Sequence, residues 1–321
     1  MTRQEIEGVL RNCDNTVLSF PNRGPWGSSS YRGNCSGWIP AFFIWKYEAK
    51  KVAEIFAGSG TTYDVCKDMG VSYTGIDLNP NPTRDKIISM DVLDYSKELP
   101  DGFYDSDMVF LHPPYPSIHE VRYAGNMWKD NGNLKKKDIQ EMSWEDGMNA
   151  VNKAIMRAYS AMQPGAFEVI LVGEIRSKGQ YRSMYQNLVL PGTLHQTFVK
   201  LQHNCVSNGR TYANKSKFAL TGHEMIAVIK KESGYEIAYV IPKTYKMDIR
   251  DCKCATWKDV VLTAARDLQS FRLAEIYAAI DGHEKCKSNP NFWKDQVRAV
   301  LQKLEKSGLV KHVSTGMWAA A

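Results

Sequence analysis

Three short stretches of this 321-residue chain carry residues whose type and spacing could do chemistry. The first is Phe56-Ala57-Gly58-Ser59-Gly60-Thr61, where an apolar run over 52–56 opens into two glycines and then a helical pattern over 62–69. Glycines let a backbone approach a ligand closely, and a helix start offers unpaired N–H groups. No Gly-Lys-Ser/Thr follows, so this is not a Walker phosphate loop. Tyr63 stands where the third glycine of the dinucleotide fingerprint belongs. A ligand without a phosphate at the turn is the expectation. The second stretch is Gly75-Ile76-Asp77-Leu78-Asn79-Pro80. Asp77 closes the next apolar run, where a carboxylate can accept from both hydroxyls of a ribose; the alternative is a turn-forming Asp. Asp91, followed by Val92, is the matching candidate acceptor for an adenine amino group. The third is His112-Pro113-Pro114-Tyr115 at the end of the apolar run 108–111. Two prolines stiffen the backbone and remove its N–H groups. A row of carbonyl acceptors remains, with a side-chain acceptor in front and an aromatic plane behind. That suits a flat base whose exocyclic amino group donates, although a plain strand-closing turn is the simpler alternative.

These stretches need a scaffold, and the hydrophobic pattern supplies one. Seven apolar runs, at 52–56, 73–77, 86–90, 108–111, 167–172, 197–201 and 225–229, alternate with helical patterns. The clearest helices are 62–69 and 144–162, the second stopping at Gln163-Pro164-Gly165. Such alternation predicts an α/β fold with a seven-stranded, mostly parallel sheet. The organisation expected is an N-terminal segment over 1–50, a main domain over 51–232, a connector over 233–254 and a small domain over 255–321. In the last of these, helical patterns at 257–268, 273–280 and 292–306 precede two short strands around Ser314-Thr315-Gly316. Three helices and a hairpin predict a winged-helix-like module. DNA contact is its commonest use, and a small packing domain is the alternative.

Composition narrows the classes. Hydrophobic residues make up 43% and charged residues 24%, ordinary values for a globular chain. No apolar run reaches the roughly 18 residues of a membrane span, and Met1-Thr2-Arg3-Gln4-Glu5 opens no signal peptide. The net charge of +6 permits a polyanionic partner. Seven cysteines at irregular spacing, with no Cys-x-x-Cys, predict reduced thiols in a cytoplasmic protein and no metal site.

Taken together, Phe56-x-Gly-x-Gly, Asp77 and His112-Pro-Pro-Tyr115 resemble motifs I, II and IV of the S-adenosylmethionine-dependent DNA amino-methyltransferases. Tyr31-Arg32-Gly33-Asn34-Cys35-Ser36-Gly37 resembles motif X, and His223-Glu224-Met225 through Lys231 resembles the late sheet strand. The order X, I, IV is similar to the γ arrangement, over residues 20 to 231. Two positions depart from the family pattern. Glu54-Ile55-Phe56 replaces Asp-Pro-Phe, and His112 replaces the usual Asp, Asn or Ser.

The resemblance implies a Rossmann-like methyltransferase sheet and S-adenosyl-L-methionine as cofactor. It implies cofactor contacts from Tyr31, Asn34, Ser36, Glu54, Phe56, Ala57, Gly58, Ser59, Gly60, Thr61, Asp77, Leu78, Asp91 and Val92. It also implies direct methyl transfer to a flipped-out base, adenine N6 ahead of cytosine N4, on double-stranded DNA. His112 and the Pro113 carbonyl would orient the amino group, with Pro114 stiffening the row and Tyr115 stacking on the base. A neutral imidazole has one acceptor nitrogen and an imidazolium none, so His112 must be neutral. Candidate DNA contacts are Tyr123 and Trp128 in the long polar stretch after the motif and Arg176, Lys178 and Arg182 after the fifth run. Lys294, Arg298 and Lys303 on the last helix complete that set. A cognate restriction endonuclease would be a natural partner. RNA methylation and a catalytically inactive DNA-binding relic are the other readings.

Overall fold

Every residue of Lys51–Ile55 after Lys51 is buried, which marks a strand covered on both faces. In the computed structural model it belongs to the main sheet, between two parallel neighbours. That structure describes residues 1–28, 30–31, 33–118, 132–177, 180–203, 219, 221–232, 237, 239–241 and 255–321. The chain divides into two units, Met1–Pro242 and Lys243–Ala321. The expected connector over 233–254 lies almost entirely outside the described residues.

The first unit begins with α1 (Arg3–Leu10), β1 (Val17–Leu18), α2 (Trp38–Lys46), β2 (Lys51–Ile55), α3 (Thr61–Met69), β3 (Ser72–Asp77), β4 (Ile87–Ser89) and β5 (Met108–Leu111). It continues with α4 (Gly132–Lys135), α5 (Trp144–Ala161), β6 (Phe167–Ser177), β7 (Gln180–Ser183), β8 (Leu190–Pro191), β9 (Thr193–Leu201), β10 (His223–Lys230) and β11 (Tyr239–Val240). The main sheet runs β1-β9-β10-β6-β5-β2-β3-β4. All neighbours along it are parallel except β10, which is antiparallel to both β6 and β9. Each of the seven expected apolar runs is a strand of this sheet, and β1 adds an edge.

Side-chain alternation sorts the strands' residues into two cores, one on each face. Val52, Met108, Phe110, Val169, Leu171, Ile226 and Val228 pack on one side with α2 and α3. Ala53, Ile55, Val109, Leu111, Ile170, Val172, Ala227 and Ile229 pack on the other with α5. This is the period-2 signature of a sheet sandwiched between helix layers. Ser143 caps α5 by accepting from the Asp146 N–H, and the helix stops just before Gln163-Pro164-Gly165. The segment over 1–50 holds more structure than its sequence suggests. Trp38 through Ile44 of α2 are all buried, so the helix shows no amphipathic period.

The second unit orders as α6 (Trp257–Leu268), β12 (Ser270–Arg272), α7 (Leu273–Ile280), α8 (Glu284–Lys287), α9 (Trp293–Lys306), β13 (Val310–Ser314) and β14 (Met317–Ala320). Its strands form an antiparallel sheet in the order β12-β14-β13. The three expected helices and the hairpin are present, and three-residue β12 is an addition too short to show a period. Val260, Phe271, Ile276, Val297, Leu301 and Leu304 belong to a core of its own. Lys294, Arg298 and Lys303 are exposed on the flanks of α9 beside that core. Among the described residues, no helix is long and apolar enough to cross a membrane.

Candidate active site

Ligands of open α/β sheets bind beyond the carboxyl ends of the parallel strands. A cavity of about 520 Å³ opens there. The glycine turn, the end of β3, Asp91, Val92 and His112 through Tyr115 line it, as do Tyr31, Asn34 and Ser36. Two stretches far apart in sequence thus meet because β2 and β5 are hydrogen-bonded neighbours.

At one end the glycine turn is shaped by backbone conformation. Phe56 has φ 67° and Gly60 has φ 80°, the second a left-handed cap at which α3 starts. A Cβ on Gly60 would also stand 2.6 Å from Cγ of Arg84. The Gly58 N–H donates to Oδ2 of Asp77 at 2.8 Å, and the Asn79 N–H donates to Oδ1 at 2.8 Å. Each oxygen keeps a lone pair for a ligand. Burial raises the Asp77 carboxyl above its ordinary value, with the two N–H groups opposing. Leu78 follows Asp77 along the wall.

Glu54 lies deeper. It accepts from the Thr62 hydroxyl at 2.6 Å and from the Tyr73 hydroxyl, and burial pushes its carboxyl up to about 8. It therefore anchors the turn to α3 and β3. Asp91 receives the Leu93 N–H at 2.9 Å and pairs with Lys137 Nζ at 2.9 Å. The N-terminal segment closes over the turn. Ser28 N–H donates to Ser59 Oγ at 3.3 Å, and the Thr61 hydroxyl donates to Asn34 Oδ1.

Among the described residues, Arg23 Nε, Arg23 Nη2 and Ser36 Oγ of this segment are buried at the cavity without a partner. Both residues line the cavity, and the Gly37 N–H donates to the Arg23 carbonyl at 3.0 Å, which ties the two stretches together. Nε and Nη2 are one edge of the guanidinium fork, the edge that matches a carboxylate with two parallel bonds. Arg23 was not among the expected contacts. Its only sequence signal is a position just ahead of the Tyr31–Gly37 stretch.

The other end is built around His112. Burial pushes its imidazole down to about 4, opposed by nearby Glu224 and reinforced by Lys200. The ring is therefore neutral at pH 7, as an acceptor must be. Tyr115 meets it edge to face, with centroids 6.1 Å apart. Gly173 of β6 makes room for Tyr115, since a Cβ there would stand 2.5 Å from that ring. The Tyr115 hydroxyl donates to Glu224 Oε1, and Lys200 Nζ donates to Glu224 Oε2. Lys200 and Glu224 are cross-strand partners of β9 and β10. In the sequence, Lys200 falls in the apolar run 197–201, and Glu224 falls in the stretch that resembles the late sheet strand; neither was expected in the site.

Of the candidate nucleic-acid contacts, Arg176 lines the cavity and lies over the Tyr181 ring at 5.5 Å. Arg182 donates to Ser117 Oγ at 3.2 Å and to Gln180 Oε1 at 3.0 Å, and its guanidinium lies over Trp144. It braces the segment that follows Tyr115. Tyr123, Trp128 and Lys178 lie outside the described residues. On α9, Lys294 lies over the rings of Tyr277 and Trp293, and Arg298 pairs with Asp295. None of Cys13, Cys35, Cys66 and Cys286 is in a disulfide. No group of His, Cys, Asp and Glu side chains suited to a metal occurs among the described residues.

Parallel strands with one reversed strand, β10, between β6 and β9, and a glycine turn after β2, define the Rossmann-like methyltransferase sheet. No protein-family model matches the chain, and no curated protein matches its sequence. Solved structures of methyltransferases are similar to it. TrmN from Thermus thermophilus is 14% identical, with a TM-score of 0.36 over 63% of this chain and 51% of its own. The chain thus spans about half the length of that protein. A SAM-dependent methyltransferase from Archaeoglobus fulgidus is 12% identical, with a TM-score of 0.35 over 60% of this chain and 93% of its own. The N-methyltransferase NodS from Bradyrhizobium japonicum, in complex with S-adenosyl-L-homocysteine, is 12% identical, with a TM-score of 0.35 over 72% of this chain and 98% of its own.

Proposed function

We propose that this chain transfers a methyl group from S-adenosyl-L-methionine to the exocyclic amino group of a flipped-out base in double-stranded DNA, adenine N6 ahead of cytosine N4. One observation carries the reading: a single cavity joins the glycine turn and Asp77 at one end to His112-Pro113-Pro114-Tyr115 at the other. The residues present fit the cofactor. Asp77 keeps lone pairs for a ribose, and the unpartnered Arg23 edge with Ser36 Oγ offers donors to the carboxylate of an amino-acid end.

When bound, the cofactor supplies an electrophilic methyl group on a sulfonium. The protein's task is then to hold the amine so that its lone pair is no longer delocalised into the ring. His112 accepts one amino hydrogen at its free ring nitrogen and the Pro113 carbonyl accepts the other. Pro114 keeps that carbonyl row rigid. Tyr115, held by Glu224 and resting over Gly173, presents its ring to the base. Such catalysis is positioning and electrostatics, with no covalent enzyme intermediate. Labelled methyl transfer to duplex DNA, RNA and protein side by side, followed by nucleoside mass spectrometry, tests the reading. N6-methyladenine in DNA is expected. Label found only in RNA or protein would overturn the substrate class.

Asp77→Ala should cost about 1–3 kcal/mol of cofactor binding, since two ribose hydroxyls lose their acceptor. Calorimetry with S-adenosylhomocysteine measures it, and unchanged affinity would remove Asp77 from the ribose.

The second unit supports DNA as the substrate. Its order of helices and antiparallel strands supports a winged-helix-like reading, and α9 presents Lys294, Arg298 and Lys303 to solvent. Replacing all three by alanine in the full chain should weaken duplex binding. It should also reduce the slope of log affinity against log salt by about 2–3, roughly 0.9 for each lost phosphate contact. An unchanged affinity and slope would leave the unit a packing domain.

A further inference from the structure

Glu224 contacts neither the glycine turn nor Asp77, yet it gathers the groups of the other end around one carboxylate. Its backbone registers with Lys200 on one side and Gly173 on the other. Oε2 takes the Lys200 ammonium and Oε1 takes the Tyr115 hydroxyl. The same Oε1 lies 3.9 Å from Nε2 of His112. We propose that Glu224 is a positioning residue that fixes His112 in its Nε2–H tautomer, leaving Nδ1 as the ring's acceptor nitrogen.

The reason is electrostatic. A lone pair on Nε2 would face an anionic oxygen and be repelled, whereas an N–H there is attracted. In a buried site that ion–dipole difference is large. An unbalanced carboxylate would carry a second effect, because it would draw a proton onto the ring and make an imidazolium that cannot accept. Lys200 prevents this. Burial alone would raise the Glu224 carboxyl, but Lys200, His112 and the hydrogen bonds outweigh it and hold it at about 2. The ion pair thus orients the ring without protonating it. Among the described residues, other charged or titratable side chains at this end are Glu174 and Arg176 of β6, His203 beyond β9, and Arg23 and the Cys35 thiol of the N-terminal segment. All of them stay in place in the variants below, so only the pair's own charge changes.

The catalytic meaning of the tautomer rests on the methyl-transfer reading, while the tautomer itself is measured in the protein without substrate. Nitrogen-15 labelling of histidine, with His112 assigned by its absence from His112→Asn, reads the tautomer and the titration directly. Wild type should show the Nε2–H pattern at pH 7 and titrate near 4. Lys200→Met should move that titration up by about one pH unit. Glu224→Gln should move it down and average the pattern between the two tautomers. An Nδ1–H pattern in wild type, or shifts of the same sign in both variants, would overturn the proposal. The wild-type spectrum decides alone should Glu224→Gln fail to fold. Intact tautomer behaviour without methyl transfer to DNA would overturn the function and leave this proposal standing.

Discussion

His112→Ala is expected to lose at least 100-fold in kcat on duplex DNA while its affinity for S-adenosylhomocysteine stays within about twofold. The variant keeps the glycine turn and Asp77 but leaves the amino group with one acceptor, the Pro113 carbonyl. His112→Asn should retain more, because its side-chain oxygen restores an acceptor. Activity equal to wild type in His112→Ala would show that this position only closes a strand. The pH profile is a second readout. A free histidine titrates near 6.5, but burial pushes His112 to about 4. Methyl transfer should therefore hold from pH 8 to about 5 and fall with a single protonation near 4. Stability carries the same signature with a definite sign. Between 6.5 and 4 the unfolded chain binds a proton that the folded one refuses, so the contribution is present above 6.5 and is lost as pH falls. His112→Asn lacks that loss, and wild type should decline relative to it by about 3 kcal/mol across the window. Parallel denaturation curves for the two proteins would contradict the depressed histidine.

Arg23→Met is expected to weaken S-adenosylhomocysteine binding by about 10- to 100-fold, the 1.5–3 kcal/mol of a charge-assisted contact. Methionine keeps the apolar stem and removes the fork whose Nε and Nη2 are buried without a partner. Arg23→Lys should recover only part, as a point charge cannot make two parallel bonds. Methylthioadenosine, which lacks the amino-acid end, is the control. Its affinity should be the same in wild type and Arg23→Met, and an equal loss for both ligands would make Arg23 a structural residue. The free protein should gain about 1 kcal/mol of stability on the same change, because a desolvated guanidinium edge goes unpaid until a ligand arrives.

How much of this is legible in the sequence depends on which interactions are local. The turn at Phe56–Thr61, the acidic end of β3 and the Pro-Pro row each announce themselves within a few residues, because backbone requirements there are met by glycine and proline. The seven runs of apolar residues locate the strands of the main sheet from β9 to β4 and miss the two-residue edge strand β1. Phe56 is an instructive boundary. Its apolar side chain extends the run, but the chain has already left the strand and adopted a positive φ. Helix α2 escapes notice because it is buried all round and shows neither a polar face nor a period. Lys200 and Glu224 are harder still. Each looks like an ordinary charged residue at a strand end, and only the register of β9 against β10 makes them partners. Arg23 is found by a different signal, the absence of a partner on a buried donor, which no sequence pattern carries.

The reversal of β10 has a consequence for how such a site can change over generations. The chain leaves the sheet at the end of β9 and re-enters it at the start of β10, and these two points are the same place, pinned by the Lys200–Glu224 pair. The two ends of that connection meet beside the cavity, where the Gln202 N–H donates to the Gly222 carbonyl at 2.8 Å. Closing such a connection costs only about 0.6 kcal/mol more for each doubling of its length. Insertions, deletions and wholesale replacement there leave the two ends, and hence His112 and Tyr115, where they were. Novelty in that stretch and constancy in the chemistry are uncoupled by a single strand running backwards.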